Sequence, residues 1–500
     1  MPRNVEIAKY LINAGTKQII GVLGGGDSYE IVDSFIREGG KFLESPSEFS
    51  SPIIASAMNK FNQNQNHAVS ISIRGPGLVS SLPGLYHNYM EDLRSLSISE
   101  GLSNDNSSYN FHKVFDAEKA LSSTGFLRKD QDSISNVFDL ISNAKINNKN
   151  RMVHLITSNN QFYSYNRSIG EMCSQQSENY DSNHRKKIFV IGKRGMEYLE
   201  VHNLLASNFS YFLTPAALPF ADLNSPNFLG VWTGNEQFKS YFIESKVLSE
   251  SVIVRIGVMK RELLTLRTRF PHFDISLNSE DEHVKLMNLT EKSGSTEIEY
   301  EKQYLDSIRK KIGSTSNSWS VYSVISIINE MHTDFNYSFD VGSYATIIEN
   351  YIRPVKTQRL HSAFVGKFMG TAVPISIGVS LAEPSIPVLC MLGEGSIASS
   401  LNEVFSIANL QLPVCIIVFT DGSMNSIVGS KIISEQNKDK YLPSNYLTIE
   451  KAKIPNLPTY FANSIKQFTS ALSKWDMKSP MIIFLKFDPN EYAKGVESLR

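Results

Sequence analysis

Residues 388–423 contain the feature that most constrains how this chain can fold. Two apolar segments, 388–392 and 414–419, each end in a short glycine-containing turn with one acid. Between them, Leu401, Val404, Phe405 and Ala408 recur at helical spacing. The pattern predicts a strand–helix–strand unit with two buried parallel strands. Its turns, Gly393-Glu394-Gly395-Ser396 and Thr420-Asp421-Gly422-Ser423, would then lie at the sheet edge where α/β proteins bind ligands.

The residue types in these turns are suited to a phosphate and a divalent cation. Glycines allow the backbone to approach a phosphate closely. Two carboxylates beside a phosphate suit Mg²⁺, which is usually held by one or two carboxylates and by substrate phosphates. The alternative interpretation is an ordinary turn whose acids, Glu394 and Asp421, are solvated.

The N-terminal part contains a second set of turns and one notable acid. A short strand, 19–23, enters the glycine turn 24–27, whose spacing does not match the dinucleotide-binding fingerprint. Further along, a strand at 42–44 is followed by Glu48, by the small-residue segment Ile53 to Met58, and by a strand that enters Arg74-Gly75-Pro76-Gly77. Taken alone, Glu48 could simply be an acid in the first turn of a helix.

In this order, the motifs resemble those of the thiamine diphosphate (ThDP) enzymes of the acetolactate synthase and pyruvate decarboxylase superfamily. The resemblance is closest to acetolactate synthase-like large subunits, and it is divergent. The family's metal motif begins Gly-Asp-Gly and ends Asn-Asn, whereas this chain has Glu394 and Thr420-Asp421 at those places. The resemblance implies an α/β fold with three parallel-sheet domains: pyrimidine-binding (1–170), central (187–300) and diphosphate-binding (305–500).

The resemblance also implies roles for individual residues. Glu48 matches the catalytic glutamate, a carboxyl group that hydrogen-bonds the pyrimidine ring nitrogen of the cofactor and serves as an acid–base. Glu44 is the competing candidate, but it leaves the following helix out of step with the family. The expected metal ligands are Glu394, Asp421 and Ser423. The expected cofactor-binding residues are Gly75, Gly342, Ser343, Met369, Gly393, Gly395, Ser396, Ser423 and Met424.

The substrate side of the site departs from both branches of the family. The expected substrate residues are Gly24, Gly25, His112 and Asp116. Phe115-Asp116 stands where the acetolactate synthase branch has Phe-Gln, and His112 is single where the decarboxylase branch has a histidine pair. The plain alternatives are a surface-loop histidine for His112 and a core methionine for Met369.

The function implied is ThDP- and Mg²⁺-dependent decarboxylation of a 2-oxo acid, with carboligation or aldehyde release. The alternative is a catalytically silent homologue with a structural or regulatory role, suggested by Glu394, Asp421, Asp116 and Leu23, the last standing where the family has proline. Because the central segment shows no dinucleotide fingerprint, FAD is not expected. The family's shared sites imply a homodimer or homotetramer, with the small-residue segment 53–58 as the expected contact. The alternative for this segment is packing inside its own domain.

Composition argues against several other classes of function. A formal net charge of −1 gives no electrostatic basis for binding nucleic acid or an anionic membrane. No apolar run approaches the ~20 residues of a membrane span, and the N-terminus lacks the apolar core of a signal peptide. Three cysteines do not suggest a disulfide framework. A cytoplasmic protein is therefore expected.

Overall fold

The protein forms three α/β units, each built around one sheet. The computed structural model describes residues 3–24, 26–60, 68–100, 115–124, 126–129, 150–157, 161–166, 172–173, 186–206, 209, 211–234, 251–264, 272–277, 279, 281–282, 286, 319–422 and 454–488. The three sheets fall within 18–166, 186–275 and 336–486. The predicted α/β class with three sheets is confirmed. The predicted domain limits themselves stay a prediction.

The first unit contains a seven-stranded sheet in the order β2-β1-β3-β4-β6-β7-β5. Its five strands from β2 to β6 pair in parallel, whereas β7 is antiparallel to both β6 and β5, so this edge of the sheet departs from the parallel pattern. The elements are α1 (Arg3–Asn13), β1 (Gln18–Gly21), α2 (Asp27–Arg37), β2 (Lys41–Glu44), α3 (Ser50–Lys60), β3 (Ala68–Ser72), α4 (Pro76–Met90), β4 (Ser95–Ser99), α5 (Ala117–Ser123), β5 (Leu127–Lys129), β6 (Asn150–Ile156) and β7 (Gln161–Asn166).

The second unit contains a five-stranded sheet in the order β10-β9-β8-β11-β12, with parallel pairing throughout. Its elements are β8 (Lys186–Ile191), α6 (Leu199–Ala206), β9 (Tyr211–Leu213), β10 (Phe228–Val231), β11 (Ser251–Ile256) and β12 (His272–Ile275). A 3₁₀ turn, Pro215–Phe220, follows β9.

The third unit contains a six-stranded parallel sheet in the order β14-β13-β15-β16-β18-β17. Its elements are α7 (Val321–Glu330), β13 (Asn336–Phe339), α8 (Ser343–Tyr351), β14 (Leu360–Ser362), α9 (Ala372–Ala382), β15 (Val388–Gly393), α10 (Glu394–Ser399), α11 (Leu401–Asn409), β16 (Val414–Thr420), β17 (Thr459–Ala462), α12 (Ile465–Leu472) and β18 (Met481–Lys486). The predicted strand–helix–strand unit is present as β15, α11 and β16, with the short helix α10 added after β15.

The third sheet is buried on both faces. Successive side chains of a strand point to opposite sides of a sheet, and the two sides of β15 belong to two different hydrophobic cores. Leu389 and Met391 of β15 belong to a core shared with the second unit. Val388 and Cys390 belong to a different core, which includes α3 of the first unit. This arrangement explains the continuous apolar runs of β15 and β16.

Helix α3 lies inside the chain, which corrects one expectation. Its residues Ile53 to Met58 are at most 6% exposed, and they pack with residues of α9 and the third sheet. The approach of α3 to α9 is so close that a Cβ atom placed on Gly378 would lie 2.5 Å from the carbonyl oxygen of Ile54. The prediction that segment 53–58 forms the contact with a second chain is therefore wrong, because its small side chains serve packing within one chain.

The helices of the described residues do not include one with the length and apolar character of a membrane span.

Candidate functional site

Three neighbouring strands of the third sheet deliver polar turns to the same edge. Strand β13 leads to Asp340 and Gly342, β15 leads to Glu394, and β16 leads to Asp421. The strands are adjacent and parallel, and Gly393 at the end of β15 pairs with Phe419 near the end of β16. The predicted carboxyl-edge position of these turns is therefore present.

The two acids of the predicted metal motif lie in turns that are joined by a hydrogen bond. Oε1 of Glu394 accepts from the backbone N–H of Gly422 at 3.1 Å. Glu394 is the first residue of α10, and both it and Asp421 are partly buried. Gly395 and Ser396 continue the first turn of the same helix, in which Ser396 is buried. The carboxylate of Glu394 thus ties its own turn to the one that carries Asp421.

Asp340 is a buried residue of this edge that the sequence interpretation did not select. Its carboxylate accepts from the backbone N–H groups of Gly370 (2.5 Å) and Thr371 (3.2 Å) and from the hydroxyl of Thr371 (3.0 Å). The Ser396 side chain also bonds to it. Burial raises the pKa of Asp340, although the hydrogen bonds from Gly370, Ser396 and Thr371 oppose this shift. Asp340 therefore fixes the turn around Gly370 against the turn after β15.

Tyr344 lies between two of the glycine turns and was likewise not selected. Its ring stacks on Phe419, with centroids 5.0 Å apart, and its hydroxyl donates to the carbonyl of Val341 at 3.0 Å. A Cβ atom on Gly342 would lie 2.5 Å from the Tyr344 ring, and one on Gly393 would lie 3.0 Å from it. Gly342 also has a φ of 153° and a ψ of 177°, a combination that is essentially restricted to glycine. A side chain at Gly342 would therefore displace this ring, whereas one at Gly393 would require the ring to shift by a few tenths of an ångström.

Ser343 and Met369 occupy different environments at this edge. Ser343 is the buried first residue of α8, directly after Gly342. Met369 is 47% exposed, so the core-methionine alternative is wrong for this residue. The turn that carries Met369 is held by the bonds from Gly370 and Thr371 to Asp340. An exposed apolar side chain on a fixed turn is available to contact a ligand.

Glu48 lies in a turn of the first unit that contacts the third unit. The turn connects β2 to α3, and Glu48 is partly buried, whereas Glu44 at the end of β2 is exposed. Ser47 and Ser50, on either side of Glu48, both donate their hydroxyls to the buried carboxylate of Glu403 in α11, the Ser47 bond measuring 3.1 Å. Glu403 was not selected from the sequence. It lies 353 residues after Ser50 in the chain, and its bonds with Ser47 and Ser50 hold the Glu48 turn in place.

Other predicted residues of the first unit meet at the carboxyl edge of its own sheet. Gly24 lies so close to Ile73, just before Gly75, that an added Cβ atom would be 2.7 Å from the Ile73 side chain. Gly75 precedes α4 with a φ of 65°. Glu100, a further residue not selected, accepts from the backbone N–H of Ser28 at 2.9 Å and so anchors the start of α2 close to Gly26.

Asp116 has a local role in the structure. It is exposed, it caps α5 by accepting from the backbone N–H of Lys119 at 3.1 Å, and it pairs with the Lys119 ammonium at 3.0 Å. These interactions, the backbone bond foremost, hold the pKa of Asp116 below its ordinary value. Gly25, His112, Ser423 and Met424 lie outside the described residues.

The chemistry of the third-sheet edge fits a diphosphate with a divalent cation. Two carboxylates follow adjacent strand ends, and glycines and helix N-termini provide backbone N–H groups beside them. Within the described part of the chain, no group of three or more His, Cys, Asp or Glu side chains is placed to hold a metal ion. A two-carboxylate site of the Mg²⁺ type, completed by ligand oxygens, requires no such group.

Comparisons with known proteins match the region that contains this edge. Residues 340–468 match the family described as "Thiamine pyrophosphate enzyme, C-terminal TPP binding domain". A segment of 106 residues is 26% identical to the acetolactate synthase large subunit of Porphyra purpurea and 29% identical to that of Pyropia yezoensis. The match covers 21% of this chain and 18% of the length of these relatives.

Proposed function

We infer that this chain, a divergent member of the thiamine diphosphate enzyme superfamily, binds ThDP and Mg²⁺ at the carboxyl edge of its third sheet and acts on a 2-oxo acid. The observation that carries this proposal is the bond between Glu394 and Gly422, which brings the two acidic turns together. The family match over 340–468 supports the cofactor. The reaction proposed is decarboxylation with carboligation, as the names of the acetolactate synthase relatives suggest, or with aldehyde release.

Each part of the edge has a proposed task. Backbone N–H groups around Gly342, Ser343, Gly393, Gly395 and Ser396 would bind the diphosphate. Glu394 and Asp421 would hold Mg²⁺, with Ser423 as the third proposed ligand, and Met424 would contact the cofactor. Without the cation, two carboxylates beside a diphosphate would repel it, so cofactor binding should depend strictly on Mg²⁺.

The first unit would supply the acid–base group. When bound, ThDP supplies a nucleophilic carbon for attack on the substrate carbonyl. Glu48 would hold and exchange a proton at the cofactor's pyrimidine, with Ser47, Ser50 and Glu403 keeping its turn in place. The turns at Gly24 and Gly75 lie at the same edge as Glu48. As the resemblance to the superfamily implies, we propose a homodimer or homotetramer that shares its active sites.

A catalytically silent homologue is the second candidate, and one observation favours it. Asp116, expected near the substrate, is exposed and serves as the N-cap of α5. Such a protein could retain the fold without turning over a 2-oxo acid.

The proposal is tested by measuring ThDP binding calorimetrically with Mg²⁺ and, separately, with a chelator. Binding should require Mg²⁺, and Asp421→Ala should abolish it at micromolar cofactor because an oxygen ligand is lost. Asp421→Asn is the matched control, since it keeps an oxygen ligand and should retain binding. Wild-type affinity in a folded Asp421→Ala protein, or equal binding without Mg²⁺, would refute the assignment.

A further inference from the structure

A cavity between the three units contains a lysine that the proposed ThDP site does not use. The cavity has a volume of about 70 Å³, and residues of each unit line it, among them Lys60 and His87 from the first, Lys193 and Phe220 from the second, and His361 from the third. Phe220 is 43% exposed, which marks the opening of the cavity to solvent. None of the residues proposed to bind ThDP or Mg²⁺ lines it.

Lys60 lies in this wall beside two neutral hydrogen-bond partners and no carboxylate. It is the last residue of α3, and its Nζ lies 2.9 Å from the Leu360 carbonyl oxygen and 2.9 Å from Nδ1 of His361. Within the described part of the chain it makes no ion pair. A neutral amine has two N–H bonds for these two partners, whereas an ammonium group has a third N–H for which this part of the protein offers no acceptor.

The neighbours of His361 show that Lys60 is the donor in their shared bond. The amide nitrogen of Asn336 donates to the Glu383 carboxylate at 3.3 Å, so the amide oxygen of Asn336 accepts from Nε2 of His361 at 3.4 Å. His361 is neutral, because burial lowers its pKa well below the ordinary value. Its Nδ1 is therefore an acceptor, and the lone pair of the Lys60 amine is used by neither hydrogen bond.

The charged groups that face this wall interact with one another and with the backbone. Lys193 Nζ donates to the Glu91 carbonyl at 2.5 Å, and its charge acts on the carboxylates of Glu262 and Glu91. Oε1 of Glu91 accepts from the backbone N–H of Gly366 at 2.7 Å. Burial lowers the pKa of Lys60 to about 7, and the charge of Lys193 adds to this effect. About half of Lys60 is therefore in the nucleophilic amine form at pH 7.

His87 provides an unpaired acceptor in the same wall. It is 1% exposed, and among the described residues its Nε2 makes no hydrogen bond. The amide nitrogen of Asn88 donates to the Pro52 carbonyl at 2.9 Å, so its oxygen accepts from Nδ1 of His87 at 3.2 Å. Burial lowers the pKa of His87 to about 4, so the ring is neutral at pH 7. Nε2 can therefore accept a hydrogen bond from a hydroxyl group in the cavity.

We propose that Lys60 binds a small aldehyde covalently, as a reversible Schiff base. The amine nitrogen adds to the carbonyl carbon, and the hydroxyl of the resulting carbinolamine donates to Nε2 of His87. Loss of water then forms the C=N bond, and both amine hydrogens leave with the carbonyl oxygen. The amine and the aldehyde are uncharged, so the reaction brings no charge into the cavity. The imine has no N–H for Leu360 and His361, which makes the adduct reversible.

The size and the apolar lining of the cavity limit the aldehyde. A volume of about 70 Å³ accommodates roughly five water-sized groups, at 10–15 Å³ for each, so the ligand has at most about five heavy atoms. The side chains of Ala57, Phe364 and Ile375 would cover its carbon chain. A short aliphatic aldehyde fits both conditions. The proposal does not rest on ThDP binding, because the two sites share no residue.

Propanal is the probe, and cyanoborohydride traps the adduct by reducing the C=N bond. The full chain is treated at pH 7 without ThDP, digested, and mapped by mass spectrometry for lysines that carry a propyl group. An amine of pKa 7 has a neutral fraction about 10³ times that of an ordinary lysine, whose pKa is about 10.4. A less basic amine is also a weaker nucleophile, so we expect Lys60 to be labelled at least about tenfold more than Lys356, an exposed lysine paired with Asp334.

Two comparisons separate the cavity from general amine reactivity. The ratio of Lys60 to Lys356 labelling should fall as the pH rises from 7 to 10, because ordinary lysines then become neutral as well. Benzaldehyde, which is too large for the cavity, should label the α-amino group, whose ordinary pKa is about 8, but not Lys60. Lys60→Met should lose the propyl label at this position and keep the others.

Labelling of Lys60 at or below the level of Lys356 in folded wild-type protein at pH 7 would overturn the proposal. If benzaldehyde labels Lys60 as strongly as propanal does, relative to the α-amino group, the cavity is not the binding site. Should Lys60→Met fail to fold, the wild-type protein alone decides, since Lys60, Lys356 and the α-amino group are compared within one sample.

Discussion

Substitution of Gly378 by alanine tests whether the contact between α3 and α9 positions the first unit on the third. In an isolated helix this change is favourable by about 1 kcal/mol. In this chain the new Cβ atom would lie 2.5 Å from the Ile54 carbonyl oxygen and 2.7 Å from the Cβ atom of Ala57. Neither of these atoms can rotate away, so the two helices must separate.

The magnitude follows from the width of the gap that the separation creates. A gap of about 0.5–1 Å forfeits a quarter to a half of the dispersion energy of each contact, and overpacking of this kind costs about 1–3 kcal/mol. After the gain in helix propensity, we expect Gly378→Ala to lower the free energy of unfolding by up to about 2 kcal/mol. For a unit of this size, that corresponds to a melting temperature lower by up to roughly 8 °C.

Thermal unfolding followed by circular dichroism measures this effect, and Ser380→Ala is the matched control in the same helix. Ser380 is 1% exposed, and its hydroxyl has no hydrogen-bond partner among the described residues. Its removal should therefore leave the melting temperature unchanged or raise it. If Gly378→Ala melts at or above the wild-type temperature, the close approach of α3 and α9 does not constrain the fold as argued.

Three further outcomes are expected. Glu48→Gln should retain ThDP binding while turnover falls on the order of 10²-fold, and the same loss in Glu44→Gln instead would reassign the acid–base role. The wild-type protein should gain thermal stability relative to Lys60→Met as pH rises from about 7 towards 10. The reason is that the folded-state pKa of Lys60, about 7, is below its ordinary 10.5, so the unfolded chain binds more protons between these two pH values. A difference in melting temperature between the two proteins that does not change with pH would contradict this. Mixing inactive Glu48→Gln and Asp421→Ala proteins under subunit exchange should restore about a quarter of the sites if they are shared, and inactive heterodimers would exclude sharing.

The parts of the fold that sequence predicts are those encoded locally. Strands β15 and β16 could be recognised because each is a continuous apolar run that ends in a glycine-containing turn. The acids of these turns lie at the strand ends, as the pattern predicts. The start of α10 at Glu394 was not foreseen, because the six-residue segment Glu394–Ser399 is too short to show helical periodicity. The exposure of Met369 could not be read from the sequence either, since methionine suits both a core and a ligand-facing turn.

The residues that sequence reasoning missed act through partners distant in the chain. Asp340 binds Gly370 and Thr371, about 30 residues away, and Glu403 binds Ser50 at a separation of 353 residues. An isolated acid carries no signal of such a partner. One available sign was position, because Asp340 follows a strand directly, as Glu394 does. Helix α3 was assigned to the wrong contact because small residues permit close packing with any helix, within the chain or between chains.

Measurements of thermal stability can show whether the acids Glu394 and Asp421 of the predicted metal motif hold a cation or serve only the structure. If Glu394 and Asp421 serve only structure, Asp421→Asn relieves their repulsion and raises the melting temperature equally with and without Mg²⁺ and ThDP. If they hold a cation, the ligands stabilise the wild-type protein by about 2.7 kcal/mol at 100 times their Kd. That stabilisation should then vanish in Asp421→Ala and persist in Asp421→Asn. A ligand-independent gain in Asp421→Asn, with no response of the wild type, would therefore favour the structural role.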